Sequence, residues 1–238
     1  MDELMARLIE KVENRYYGKY RAFVVDNADP EDRGRLRLRV PSILGDETVS
    51  GWALPCTPYG GAADQGFFFI PEKDAGVWVE FEAGNLDYPI WVGTYWGKPG
   101  GESEVPKPNT PEGDEEGSVQ NPPTRKIIKT LKGHTIQLED ADGAEMILMV
   151  MMVEDKNSNV IVLDADGIKI TDTNENVVTM GDKLVSITDK KGNLIEMTDS
   201  EFNITSKVDF NIDATGKAVT ITASSVEITA STVDFKKA

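Results

Sequence analysis

The chain contains very little cysteine and histidine. Cys56 and His134 are the only residues of their types among 238. A single cysteine excludes a disulfide within the chain and a thiolate metal cluster in one copy. A nucleophilic cysteine also needs a nearby base, but these two residues lie in different halves of the sequence. We therefore interpret Cys56 as a small buried hydrophobe, and we predict no catalytic residues, no metal ligands and no cofactor.

Positive charge and long apolar runs are also lacking. Lys and Arg number 25 against 41 Asp and Glu, which gives a formal net charge of −16. Such a surface repels phosphate backbones, so we expect no nucleic-acid partner. No apolar run approaches the length of about 18 residues that a membrane span needs. The charged N-terminus has no apolar core typical of a secretory signal, so we expect synthesis in a bacterial cytoplasm.

Aromatic residues are scarce after residue 125, where only Phe202, Phe210 and Phe235 occur, while all four Trp lie in the segment 16–97. The aromatic-rich segment is therefore the one able to build a core of its own. An amphipathic helix is predicted at 2–14, within an N-terminal element 1–15. Strands are predicted at 20–25, 35–40, 52–55, 66–70, 76–82 and 90–95. A short helix followed by five or six short strands is typical of an OB barrel.

The run Phe67-Phe68-Phe69 allows two interpretations. Exposed rings could stack on bases or sugars, as OB barrels often do. The acidic composition favours the alternative, in which these rings fill the barrel core or meet a neighbouring subunit. Residues 98–124 follow, rich in Pro, Gly and acidic residues, and we predict that they form an extended, solvated linker.

Residues 125–238 repeat short apolar–polar–apolar units. The last five pairs begin 8, 9, 7 and 7 residues apart, and their ten members are the predicted oligomer core: Phe202, Ile204, Phe210, Ile212, Val219, Ile221, Val226, Ile228, Val233 and Phe235. Alternation within each unit indicates a strand with one buried face. Two apolar side chains per strand are too few to enclose a core in one chain. We therefore predict an intertwined homo-oligomeric β-prism.

Taken together, the ordered motifs resemble the baseplate assembly protein V family, the central spikes of contractile tails and related injection systems. The motifs that carry the resemblance are Tyr17-Gly-Lys-Tyr-Arg-Ala-Phe-Val-Val25, Asp29-Pro-Glu-Asp-Arg-Gly-Arg-Leu-Arg-Leu-Arg-Val-Pro41, Gly76-Val-Trp-Val-Glu-Phe-Glu82, Asp87-Tyr-Pro-Ile-Trp-Val-Gly-Thr-Tyr-Trp-Gly97 and Lys129-Thr-Leu-Lys-Gly-His-Thr-Ile-Gln-Leu-Glu-Asp140. They cover most of the chain.

The resemblance implies an all-β homotrimer with an OB-fold domain at 16–97 and a triple-stranded β-helix at 125–238. It implies a structural, non-enzymatic spike that closes the baseplate hub and pierces the host envelope when the sheath contracts. The expected partners are a hub protein at the barrel end and a small separate tip protein beyond Val233. The expected location is the virion tail baseplate or an extracellular injection particle.

Other functions remain open at this stage. A trimeric tailspike that binds or degrades host polysaccharide would need paired carboxylates, but the Asp residues of this half lie at expected turn positions. An OB-fold ligand-binding module on a β-helical stalk is a third possibility. Two segments begin like a calcium-binding loop, Asp140-Ala-Asp-Gly143 and Asp164-Ala-Asp-Gly167. In both, the Gly comes too early in the loop, so we predict tight corners there. His134 is predicted to be structural, because it lies at the base of the β-helix and not at its tip.

Overall fold

The structure, a computed structural model, describes residues 15–153 and 158–234 together with Met5, Ile9 and Val12. The leading helix predicted at 2–14 falls mostly outside these residues, and so does Phe235. The described chain is mostly β. It divides into two compact units, Met1–Lys107 with Gly117–Val119, and Pro108–Glu116 with Gln120–Ala238. Each unit is described by itself below, and the domain boundaries at 16–97, 98–124 and 125–238 stay predictions.

The first unit contains a closed five-stranded barrel. Its elements are β1 (Tyr20–Asp26), β2 (Leu36–Arg39), helix α1 (Pro41–Leu44), β3 (Val49–Pro55), β4 (Gly76–Phe81) and β5 (Pro89–Thr94). The strand order is β1-β2-β3-β5-β4, and the barrel closes because β4 also pairs antiparallel with β1. One neighbouring pair, β3 and β5, is parallel. The predicted OB-like barrel is confirmed.

The barrel core comes from alternate residues of its strands. On β1, β2 and β4 the pairs Ala22/Val24, Leu36/Leu38 and Val77/Val79 are buried to 1% exposure or less. Val40, Ala53, Phe81 and Trp91 complete the core. The Trp91 indole Nε1–H donates to the Gly34 carbonyl at 3.1 Å. A strand with one buried face has this period of two, so its core residues were predictable from sequence.

Two sequence predictions about the barrel are wrong. Residues 66–70 form a loop and not a strand. Their three adjacent rings lack the apolar–polar alternation of a strand with one buried face. Phe67, Phe68 and Phe69 are 54%, 76% and 64% exposed, so they do not fill the core. Cys56 is exposed rather than buried. It follows Pro55, the last residue of β3, where the chain leaves the barrel wall.

The second unit contains a nine-stranded antiparallel sheet. Its strands are β6 (Arg125–Lys129), β7 (Thr135–Glu139), β8 (Met146–Met151), β9 (Asn159–Asp164), β10 (Gly167–Thr171), β11 (Val177–Met180), β12 (Leu184–Thr188), β13 (Leu194–Thr198) and β14 (Phe202–Thr205). Their order in the sheet is their order in the chain, so every strand pairs with its sequence neighbours. This half of the chain is therefore a meander in one copy.

Asp and Asn shape the turns of the meander. Residues 140–143 and 164–167 connect β7 to β8 and β9 to β10, which confirms the predicted tight corners. The Asp172 carboxylate accepts the backbone N–H of Asn176 at 2.8 Å, and Asp189 accepts that of Asn193 at 2.8 Å. Short acidic and amide side chains satisfy turn backbone in this way. Asp172 and Asp189 thus hold two corners of the meander.

Candidate assembly surface on the sheet

One face of the sheet carries two unbroken rows of directly opposed apolar side chains. We call this the apolar face. Its first row is Ile128, Ile136, Met149, Ile161, Ile170, Val178, Ile187, Ile195 and Ile204. Its second row is Leu138, Ile147, Leu163, Ile168, Met180, Val185, Met197 and Phe202. Because the side-chain period of a strand is two, the pairing register places the side chains of both rows on the same side of the sheet.

The apolar face is uncovered along its length in the single chain. Ile128, Ile187 and Ile204 are each at least half exposed, and Phe202 is 62% exposed. A cavity on the face is lined by row members of β6 to β10 and by residues of two turns, His134 between β6 and β7 and Asp172 between β10 and β11. Soluble proteins seldom expose a continuous apolar strip of this extent unless it binds something. The face is therefore the candidate functional surface of this unit.

The opposite side of the sheet, the outer face, is either covered or largely polar. Its buried apolar cluster is Leu148, Val150, Val160 and Val162 on β8 and β9, and all four are buried to 5% exposure or less. From β10 onward the middle row of this face is polar, with Lys169, Thr179, Ser186, Glu196 and Asn203 directly opposed in turn. The two faces therefore differ in polarity and in whether other residues cover them.

Residues 108–116, which we call the strap, lie on the outer face. The Asn109 N–H donates to Gln137 Oε1 at 2.9 Å, and Gln137 Nε2 donates back to the Asn109 carbonyl at 3.1 Å. Asn109 Nδ2 donates to the Gly113 carbonyl at 2.9 Å, and Asn109 Oδ1 accepts from Thr135. These buried amides satisfy one another. Part of the acidic segment is thus folded onto the sheet.

The Glu139 carboxylate anchors the chain between strap and sheet. It accepts hydrogen bonds from the Thr124 hydroxyl, from Arg125 Nε at 2.5 Å, from Gln120 Nε2 at 3.3 Å and from the Ala141 N–H at 2.9 Å. Burial alone would raise the pKa of Glu139. The hydrogen bonds outweigh burial and lower that pKa from 4.5 to about 2. The carboxylate is therefore ionised and structural at neutral pH.

Because of this network, we expect the sheet to lose stability at acidic pH. Since the Glu139 pKa is lower when folded, its stabilisation is complete above about pH 4.5 and is lost as the pH falls toward 2. Glu139→Gln should cost about 1.5–3 kcal/mol at pH 7, the usual contribution of hydrogen bonds to a charged group. The difference from wild type should become small at pH 2, where the folded carboxylate is largely titrated. Urea unfolding followed by circular dichroism at pH 7, 4 and 2 measures this, and an equal deficit at all three values contradicts it.

In the barrel, Asp29 has a comparable structural role. Its carboxylate accepts from Arg35 Nη2 at 2.6 Å and from the backbone N–H of Glu31 and Arg33. The hydrogen bond from Arg35 is the largest of the effects that hold the pKa of Asp29 well below its usual range. The Arg35 guanidinium also lies 5.6 Å from the centre of the Trp52 ring. The Asp29–Arg35 pair therefore folds its own loop back onto the barrel.

The structure places nine of the ten predicted core residues in two groups, and the tenth, Phe235, lies outside the described residues. Phe202 and Ile204 lie on β14 and end the two apolar rows. The residues from Phe210 to Val233 lie beyond the sheet and are 49–71% exposed, so their burial stays a prediction. Sequence reasoning missed the earlier members of the rows. The pattern that could have found them is a longer repeat, spanning one hairpin, in which Asp172 and Asn176 recur as Asp189 and Asn193.

His134 lies in the turn between β6 and β7, where its Nδ1 accepts the Met152 N–H at 3.2 Å. This is the structural role predicted for it. Across residues 15–153 and 158–234, no three His, Cys, Asp or Glu side chains gather as a metal site. The same described part has no helix that is long and apolar enough to cross a membrane.

Comparison with known families identifies the barrel. Residues 20–96 match the sequence model of the family described as type VI secretion system/phage-baseplate injector OB domain. The match runs from the start of β1 to just beyond β5, so it covers the whole barrel. The family comprises structural baseplate and injector components, which implies a place in a phage tail or secretion apparatus. No curated protein matches the chain.

Proposed function

We propose that this chain, whose barrel belongs to the injector OB-domain family, is the homotrimeric central spike of a contractile injection apparatus. The observation that carries the proposal is the pair of apolar rows across the nine strands, uncovered on one face, while the other face is polar or covered by the strap. A surface with this asymmetry is buried by another sheet. Further copies of the same chain supply such a sheet.

The narrowness of the apolar face favours three copies. Each strand from β7 onward contributes only two apolar side chains to this face, which span about 7 Å of strand at 3.3–3.4 Å per residue. Two strips this narrow would leave the sides of a sandwich open to water. Three such strips, arranged as the walls of a triangular prism, close around one another. The resemblance to trimeric spikes supports the same number.

A prism of this kind suits a piercing role. Nine strands at about 4.7 Å each give roughly 40 Å of length, and the apolar pairs after β14 extend it. Closure around the axis leaves few free strand edges along the walls. We propose that the rod pierces the host envelope on sheath contraction. The barrel end binds the hub, and a separate small protein caps the tip.

The solution mass of the full chain tests the proposal. Multi-angle light scattering should give three times the 26.1 kDa of one chain. Small-angle scattering on the same peak should show an elongated particle. If the mass at micromolar concentration is that of a single chain, both the proposed prism and the proposed spike function are contradicted. A mass twice that of one chain would contradict the three-walled prism and indicate a sandwich of two sheets.

A further inference from the structure

The apolar pairs continue after the sheet ends. Phe210/Ile212, Val219/Ile221, Val226/Ile228 and the residue Val233 follow β14 in sequence. In the described residues after Thr205, up to Asp234, the chain forms no strand. The one backbone–backbone hydrogen bond found among these described residues closes a turn, from the Lys217 N–H to the Ala214 carbonyl at 2.8 Å. The strand pattern is therefore present, but the described part of a single chain supplies no pairing partner for it.

The spacing of the pairs changes at the same place. From β10 onward the pairs of the meander begin at Ile168, Val178, Val185, Ile195 and Phe202, so steps of 10 and 7 residues alternate. Alternation is expected of hairpins, whose turns lie on opposite edges of the sheet and differ in length. After Phe202 the steps are 8, 9, 7 and 7. Nearly equal steps mean equivalent corners, as in a chain that winds in one direction.

A ladder of asparagines ends there too. Asn159, Asn176 and Asn193 are evenly spaced in the sequence, and their side-chain oxygens accept the backbone N–H groups of Thr173, Lys190 and Lys207, respectively, at 2.7–3.2 Å. Each of these bonds joins one hairpin loop to the next along the edge of the sheet. The next position of the ladder, at the same spacing, is Phe210. Its side chain has no oxygen to accept such a bond, so the pattern that builds hairpins stops.

β14 is the last strand of the sheet, and among the described residues it pairs only with β13. An edge strand with free N–H and C=O groups pairs readily with another chain. We propose that the hydrogen-bonding partner changes at Thr205. Up to β14 each strand pairs within its own chain, and from Ser206 onward each strand pairs with strands of two other copies. This inference rests on the proposed trimer and adds the position where intertwining begins.

The proposal specifies which residues become neighbours. If the chain turns one corner of the prism per unit, each unit of one copy lies beside the preceding unit of the next copy on the same wall. Thr220 and Glu227 are the outward-facing centres of two successive units. Thr220 of one copy should then lie beside Glu227 of another, at the separation of about 5 Å between opposed residues of paired strands.

Cysteine cross-linking of the full chain tests this arrangement. In a Cys56→Ser background, Thr220→Cys with Glu227→Cys should give a covalent trimer after mild oxidation, seen in SDS gels without reductant. The matched control is Glu196→Cys with Asn203→Cys, because these residues are directly opposed on the outer face of β13 and β14. The control should give a disulfide within one chain and migrate as a monomer.

Hydrogen exchange on the same trimeric protein is the second measurement. Amides of 206–234 should be as protected in the trimer as those of β10 to β14. A within-chain disulfide for the 220/227 pair overturns the proposal. So does an absence of cross-link, whatever the protection of the amides after 205. A monomeric Cys56→Ser protein would instead refute the proposed trimer, so the two failures are distinguishable before any cross-linking.

Discussion

The Ile187→Lys variant is expected to be a monomer of 26.1 kDa where the parent is a trimer. Ile187 lies within the first apolar row, between Val178 and Ile195, and is 53% exposed in one chain. In a closed prism, three lysine ammonium groups would meet in a dry interior. An unpaired buried charge costs several kcal/mol, and the cost is incurred three times per trimer. We therefore expect at least a thousandfold weakening of association, measured by light scattering over a dilution series.

The control for this variant is the next residue on the same strand. Thr188 lies on the outer face, opposite Val177 and Leu194, and Thr188→Lys makes the same change of charge. A lysine there can extend its ammonium group into water, so the trimer should persist. Hydrogen exchange of β10 to β13 shows whether the Ile187→Lys monomer keeps its sheet. A trimeric Ile187→Lys protein would show that the apolar face points away from the axis.

The Gly113→Ala variant is expected to detach the strap from the sheet. Gly113 has φ of +98°, and an added Cβ would lie 2.7 Å from Val160 Cγ2. The left-handed conformation costs about 1–2 kcal/mol for a residue with a Cβ, and overpacking adds about 1–3 kcal/mol. We expect a loss of about 2–5 kcal/mol in the local stability of β8 and β9, measured by hydrogen exchange of residues 146–164.

Gly143→Ala separates the two contributions to this cost. Gly143 has φ of +76°, but no atom lies within 4 Å of the position of an added Cβ. This variant should therefore show only the backbone strain of about 1–2 kcal/mol. If Gly113→Ala costs no more than Gly143→Ala, the strap does not press on Val160. In that case the Leu148 cluster must be covered in another way.

Much of the barrel could be predicted from its sequence. Alternation at Leu36/Leu38 and Val77/Val79 gives the core face directly, since the period of a strand is local information. The loop 66–70 was missed because its composition is β-like while its order places three rings in succession. The exposure of Cys56 was missed because burial of a single residue depends on where the strand leaves the wall. Neither error affected the assignment of the barrel.

For the sheet, the sequence by itself indicated strands with one apolar face, because alternation and turn residues act over a few positions, but of the two rows it named only Phe202 and Ile204. It also indicated that this face exceeds what one chain can bury. Only the tertiary structure decided that the strands form a meander as far as Thr205, since register depends on pairing with neighbours. It also decided that Asn109 and Gly113 cover the outer face. Long-range contacts of this kind leave no periodic trace, because they join single residues far apart in the chain.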